Sequence, residues 1–411
     1  MTRTRTAAVL CAAALLATTL QTTTTAAATA TGPAAAAPSP SPGRDRACTA
    51  THKPSAQARK VVDIVREAQR DLDLQAAIVR VTVDGRPLVT AAVGESMTGV
   101  PATPAMHFRT GSVGIAFMGT VLSQLAQERK VSLDDKVSRW LPELPHADKI
   151  TLRMLGSSTS GLHDYVTDPA FQKKLYADPW QHWTPKELVG YSLSHPLWYR
   201  PGTNWSYSHA NFVLLGKALE KITRTPLDRL LQQRVYRPLG LRNTRGNTTA
   251  VIPEPVLHAY DSERGHYEES TYFNPSWTTA PGAVITQDIC DLARSGQGIG
   301  AGELLSPAAF RTQMNPGTVG LGKPTAKCPA TVCLPMTKKF HFGLGVIVKN
   351  GWVMQNPSFF GYAAVMAYEP HKRLSIAVTT TVGPKSPGTN TSVPIAERIA
   401  QLLDPKHPLA D

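Results

Sequence analysis

Residues 109–117 read RTGSVGIAF, a strand-like end that runs into a helical pattern opening at Ser112. A serine flanked by glycines at a helix start is set up to act as a nucleophile. The helix N-terminus carries partial positive charge, which favours negative charge developing on the hydroxyl oxygen. A base one helical turn later would face that hydroxyl and take its proton. This chain has Ile115 there, which accepts no proton. The alternative role for Ser112 is to cap the helix that it opens. No HExxH occurs, and neither the cysteines nor the histidines have the spacing of a zinc site.

The elements that must hold Ser112 follow from hydrophobic period and turn signals. Ala, Val, Ile and Leu recur at helical spacing over 55–72, predicting an N-terminal helix. AAIVRVTVDGRPLVTAAVGES then predicts two strands around an Asp84-Gly85 hairpin turn. A helix from Ser112 to Lys130 presents Phe117, Val121, Leu122 and Leu125 on one face. Helices and loops dominate to about residue 300. Three or four strands follow over 340–382, in FHFGLGVIVK, GWVMQ, FFGYAAVMAYEP and RLSIAVTTTV, and then a last helix in VPIAERIAQLL. Strands near both ends around a helical middle predict one sheet assembled from both halves of the chain.

The chain has 411 residues, enough for one large core or two modest ones. Its first 30 residues read as a secretory signal peptide: Arg3 and Arg5, an apolar run of about fourteen residues, then small residues for cleavage near Ala28 or Ala30. Leu10 is too bulky for the position before a lipidated cysteine at Cys11. Residues 31–54 begin with a Pro- and Ala-rich stretch and are expected to form a flexible leader. The main domain is placed at 55–405, with a short tail at 406–411. The expected location is outside the cell, with cell-wall association a further option. No later stretch reaches the roughly 20 apolar residues of a membrane span.

The formal charge is +13, or +11 once Arg3 and Arg5 are removed. The Lys and Arg are scattered, without an aromatic-interleaved basic run, which argues against nucleic-acid binding. Four cysteines follow the signal peptide. In an oxidising compartment an even number predicts disulfides. Cys328 and Cys333, in the proline-bounded loop KCPATVCLP, form the first pair, which leaves Cys48 for Cys290.

Several stretches together resemble the serine β-lactamase-like family, which includes class C β-lactamases, secreted D-Ala-D-Ala carboxypeptidases and related esterases. HFRTGSV is similar to the lead-in to its nucleophile, and ITLRMLGSSTSGLHDY to its T-S-G-L loop. WYRPGTNWSYSHANFVLLGKALEKITRTPL resembles the lead-in to its second motif, and QDICDLARSGQ a later helix. The resemblance covers roughly residues 55–405. It implies an α/β fold: an antiparallel sheet flanked by helices, with a mainly helical subdomain inserted and Ser112 on the floor of the cleft between them.

The resemblance also implies catalytic motifs, and this chain departs from each. Ser-x-x-Lys is here Ser112-Val113-Gly114-Ile115, and no other S-x-x-K occurs. Tyr-x-Asn is Tyr207-Ser208-His209, which keeps a phenol as proton shuttle and replaces the amide by an imidazole able to act near neutral pH. His-x-Gly falls on Gln355-Asn356-Pro357, and the amides of Ser358 and Ser112 would form the oxyanion hole. Gly361 and Tyr362 would border the pocket, with Trp198, Tyr199 and Trp205 at its floor or in the core. His163 and Asp164 are read as loop structure, and Arg109, Thr110 and Lys130 as surface or supporting residues.

No metal or organic cofactor is implied. The ligand class expected is a cell-wall peptide or a small ester or amide. Two functions follow. In the first, the chain has lost standard penicillin or D-Ala-D-Ala hydrolysis and works by binding or regulation. In the second, it is a divergent serine hydrolase or acyltransferase using Ser112 with Tyr207 or His209. The sequence leaves the oligomeric state open.

Overall fold

The structure is a computed structural model that describes residues 48–410. The expected signal peptide, residues 31–47 of the leader and Cys11 lie outside the described residues. The end of the expected leader is tied down from Cys48 onward. Cys48 is buried and bonded to Cys290. Thr51 exchanges hydrogen bonds with Thr90, its amide donating to the Thr90 carbonyl and its hydroxyl accepting from the Thr90 amide, each at 2.9 Å. At the other end of the chain, Leu409 is buried and the Trp352 indole donates to the His407 carbonyl at 3.0 Å.

The main sheet joins both halves of the chain, as the strand pattern predicts. From edge to edge it runs Val100–Pro101, Arg86–Met97, Leu74–Val83, Leu374–Val382, Tyr362–Glu369, Trp352–Gln355, Ile347–Lys349 and Phe340–Phe342. Ser358–Phe359 pairs with the start of Tyr362–Glu369. The first hairpin turns at Asp84 and Gly85, both with positive φ, the conformation that a two-residue turn between twisted strands needs. FHFGLGVIVK, read as one strand, is two strands bent at Gly343-Leu344-Gly345.

Side chains on successive strand residues point to opposite faces. Ala76 and Ile78 therefore join one core cluster, while Ala77, Val79 and Val81 join another. The second cluster is covered by the helices Ala56–Asp71 and Ser392–Leu403, through Val61, Val65, Ile395 and Ile399. The first is covered by the helix Ile289–Gly300 and, beyond it, by Val113–Gln127 and the helical middle of the chain.

Two expectations are refined. Val113–Gln127 is buried from Val113 to Leu125, so it is a central core helix rather than an amphipathic one, and it ends before Lys130. The middle of the chain also holds a small sheet, ordered Phe108–Arg109, Val284–Gln287, Arg245–Asn247. Strands of two to four residues carry too little alternation to be read from sequence. This sheet delivers the chain to Ser112.

The helix Ile289–Gly300 is anchored by two buried carboxylates. Asp288 caps it by accepting the Asp291 amide at 2.8 Å. Asp291 accepts the Asn243 amide and the Thr244 hydroxyl, both at 2.7 Å. Burial, and then the Asp288 charge, push the Asp291 carboxyl up to about 7. The folded protein thus holds a proton that the unfolded chain, with an Asp near 3.9, releases. The resulting stabilisation is fully present below about pH 4 and is lost as pH rises through about 7. Asp291→Asn mimics the protonated carboxyl and keeps an acceptor oxygen. The melting midpoint of wild type is expected to fall relative to that of the variant between pH 4 and 7. Parallel midpoint–pH curves would contradict this assignment.

Candidate functional site

Ser112 follows the short strand Phe108–Arg109 and a tight turn in which the Val113 amide donates to Thr110 O at 2.9 Å. It is half-buried, and its side chain makes no capping hydrogen bond to the helix that it precedes. Its backbone N–H has no acceptor among the described residues. The hydroxyl borders the same cavity as Tyr207 and acts to lower the pKa of its phenol. Serine therefore stands at this helix start without its side chain serving as the cap.

Ile115, one turn on, is fully buried in the core. The Gly343-Leu344-Gly345 bend packs on the helix there: a Cβ on Gly345 would stand 2.4 Å from the Ile115 carbonyl oxygen. Among the described residues, no lysine, arginine or histidine other than His209 lines the cavity into which Ser112 opens.

Tyr207 and His209 are placed by a lock between two loops. Ser158, with left-handed backbone, donates its hydroxyl to Ser206 O at 2.8 Å and accepts from the Ser208 amide at 3.0 Å. Ser160 donates to Asn211 Oδ1 at 2.6 Å, and the Ser208 hydroxyl donates to His163 O at 2.8 Å. These bonds bring Asp164 to the start of the helix His209–Thr223. There Asp164 accepts the His209 amide at 3.1 Å and holds the ring Nδ1 at 3.0 Å from both carboxylate oxygens.

A carboxylate at that distance requires Nδ1 to carry the proton, so the neutral ring presents Nε2 as an acceptor. The Tyr207 ring meets the imidazole edge-on, with centroids 5.0 Å apart. Burial, then the Asp164 charge, raise the Tyr207 phenol well above its ordinary range, whereas the Ser112 contact acts the other way. Tyr207 is thus a neutral hydroxyl, able to pass a proton on but not to persist as a phenolate.

The opposite wall is the strand Trp352–Gln355 and the loop after it. A Cβ built on Gly111 would lie 3.0 Å from Pro357 Cβ, which puts the proline directly beside the turn into Ser112. Asn390 pins this stretch by donating to Asn356 O and Pro357 O, both at 2.9 Å. Proline removes one amide donor from the wall. Gln355 is buried and donates to Gly345 O at 2.7 Å, a contact that braces the wall. Ser358 is exposed on the same wall. Ser112, Tyr207, His209, Gln355, Pro357 and Ser358 border one cavity of about 360 Å³, with Trp205 and Trp277 among its apolar sides.

The other sequence candidates fall elsewhere. Gly361 and Tyr362 border a second cavity, of about 490 Å³, that shares Ser358, Val166 and Trp277 with the first. Gly361 has φ +80°, and a Cβ there would meet Tyr260 O at 2.0 Å. Trp198 and Tyr199 border a different surface depression. Arg109 and Thr110 are buried, while Lys130 is exposed. Both expected disulfides, Cys48–Cys290 and Cys328–Cys333, are formed.

Asp164 is the site residue that sequence reasoning underrated. Its signal was present, because GLHDY lies in the loop that resembles the family's T-S-G-L segment. What sequence could not supply was the contact with a histidine 45 residues later.

A profile of the Beta-lactamase family matches residues 61–397. An Escherichia coli (strain K12) protein named as a candidate D-alanyl-D-alanine carboxypeptidase is 29% identical over 166 residues, which are 39% of this chain and 38% of that relative's length. The match therefore spans well under half of the curated relative. A D-stereospecific amidohydrolase from a Streptomyces species superposes with a TM-score of 0.68 at 26% identity, covering 84% of this chain and 99% of the other. The D-amino acid amidase of Ochrobactrum anthropi SV3 shares the fold, with a TM-score of 0.69 at 20% identity over 85% of this chain and 98% of its own. With a profile that runs through most of the chain and a fold that agrees, the chain belongs to the Beta-lactamase family.

Proposed function

We propose that this chain is a divergent serine hydrolase or acyltransferase of exported type. In this reading Ser112 is the nucleophile, His209 the base and Tyr207 the relay between them. The reaction that depends on a lysine after the nucleophile is lost. The observation that carries the reading is the grip of Asp164 on His209 Nδ1 in the cavity that holds Ser112. An imidazole fixed in one tautomer by a carboxylate is what general-base catalysis at neutral pH asks for.

The proposed steps conserve atoms and protons. Ser112 Oγ adds to the carbonyl carbon of an ester or amide while its proton passes through the Tyr207 hydroxyl to His209 Nε2. The tetrahedral oxyanion receives the Ser112 N–H, with that of Ser358 as second donor. Collapse breaks the bond to the leaving alcohol or amine, which takes the proton from His209. Water, or another alcohol or amine, then releases the acyl group by the reverse sequence.

The substrate class proposed is a small ester or amide, with a cell-wall peptide as the larger form. The similarity to a D-stereospecific amidohydrolase supports this class. The apolar leader sequence and the two disulfides support an extracellular location. The alternative, a binding or regulatory protein without chemistry, draws its support from the buried Ile115 and from Pro357.

Two outcomes test the reading. The full chain is expected to hydrolyse an activated ester such as a nitrophenyl acetate. Ser112→Ala should abolish this, and His209→Gln should lower kcat/KM about 10²-fold or more, the usual contribution of a positioned base. With a fluorescent penicillin, no long-lived adduct is expected in the intact mass. Stoichiometric penicilloylation lost in Ser112→Ala would contradict the loss of the lysine-type reaction, and no ester turnover at all would favour the binding protein.

Ile115→Lys places an ammonium where the chain packs an apolar core. It is expected to cost roughly 3 kcal/mol of stability by burying a charge, and not to restore carboxypeptidase or β-lactamase activity, because Pro357 and His209 still differ. Hydrolysis of penicillin at family-typical speed by this variant would show that the remaining motifs are intact in function.

A further inference from the structure

The cavity of about 490 Å³ beside the Ser112 site has a wall chemistry unlike the rest of the molecule. The chain as a whole carries +13, yet among the described residues this cavity is bordered by two carboxylates, Asp261 and Glu263, and by no lysine, arginine or histidine. Its remaining lining is largely aromatic and small. Tyr176, Trp277, Phe359 and Phe360 stand against one another, with Trp277 and Phe359 stacked at 5.7 Å and Tyr176 edge-on to Phe360 at 6.3 Å.

Asp261 is the unusual member. It is only 6% exposed, and its Oδ2 has no hydrogen-bond partner among the described residues. Burial raises its pKa, while the Ser262 and Glu263 backbone amides act the other way. A buried carboxylate oxygen left without a donor costs free energy unless something supplies one. The nearest cation in sequence, Arg264, lies 3.2 Å from Glu268, the cross-strand neighbour of Asp261, and over the Trp180 ring. Lys385, on the loop that closes the cavity, is exposed and not part of its wall. Glu263, at the exposed rim, accepts the Tyr176 hydroxyl at 3.1 Å, which holds it toward the mouth.

The position of these groups relative to Ser112 is fixed by the backbone. Asp261 ends the strand Tyr260–Asp261, and Tyr260 O sits where a side chain on Gly361 would be. Gly361 in turn lies in the turn after the strand Ser358–Phe359, whose Ser358 is on the wall shared by the two cavities.

We infer that this cavity is a subsite for an organic cation, a primary ammonium or guanidinium on an apolar or aromatic stem, with Asp261 as its buried counter-charge, Glu263 at the rim and the aromatic wall around its stem. Aromatic faces attract such cations as well as their apolar stems. That the cation belongs to a substrate whose ester or amide carbonyl lies at Ser112 rests on the hydrolase reading above. The existence of the subsite does not.

The test is therefore a binding measurement that needs no turnover. Calorimetric titration of the full chain with 4-phenylbutylammonium is compared with titration by the neutral isostere 4-phenylbutan-1-ol. The ammonium is expected to bind about tenfold or more tightly, as a desolvated charge pair allows. Asp261→Asn should bring the two affinities together. Glu263→Gln, which leaves the buried carboxylate in place, should weaken the ammonium alone by a few-fold. Equal affinity of the two probes for wild type, no measurable binding of the ammonium, or binding indifferent to both substitutions would overturn the subsite. Ester hydrolysis through Ser112 could fail in the same protein while this discrimination persists, so the two proposals fall separately.

Discussion

Ten residues near the start of the described chain, Leu74–Val83, lie antiparallel to nine near its end, Leu374–Val382, with Val79 opposite Val378. That pairing closes a large loop of chain, so it is entropically costly until both faces of the sheet are covered. Each face is covered by a different helix set: Ala56–Asp71 with Ser392–Leu403 on one, and Ile289–Gly300 on the other. The helix Val113–Gln127 is then held inside the molecule, buried nearly along its whole length, with Ser112 just before it open to a cavity. Ser112 is consequently positioned by the fold as a whole and by no single contact of its own.

The chemistry of the site follows from an exchange of one charged group for another in a different place. Where the resembling family has a cation one turn after the serine, this chain has packing: Ile115 is sealed beneath the Gly343–Gly345 bend. The polar capacity reappears across the cleft, on the Asp164–His209 pair. A carboxylate–imidazole pair and an ammonium differ in what they do to Tyr207. A nearby ammonium would lower the phenol's pKa, whereas the Asp164 charge raises it further. Tyr207 in this site is thus suited to relay and unsuited to act as the base by itself. The burden falls on His209.

The strand alternation of AAIVRVTV and RLSIAVTTTV, the Asp84-Gly85 turn and the terminal helices were legible in the sequence because each rests on local period or turn chemistry. So was the position of Ser112, and the pairing of Cys328 with Cys333, which are five residues apart. The small sheet around Phe108–Arg109 was not legible, since its strands are too short to show a period. The burial of Val113–Leu125 on every side was also missed, because an apolar face in sequence does not say what covers the other side. Asp164 and Asp261 share the same reason for being overlooked. Each is an ordinary acid in a polar loop, and its meaning lies in a partner, or a missing partner, that only the folded chain reveals.

The central claim is that His209, held by Asp164, activates Ser112. A fluorophosphonate forms a stable phosphonyl ester with an activated serine by losing fluoride, and it needs no particular substrate fit. Its rate of addition, read from intact mass at neutral pH, therefore measures the activation directly. The account predicts a single adduct on Ser112, absent in Ser112→Ala, slowed about 10²-fold or more in His209→Gln, and slowed by a smaller factor in Asp164→Asn. An unlabelled wild type, or labelling of Ser112 at the same rate in His209→Gln, would contradict it.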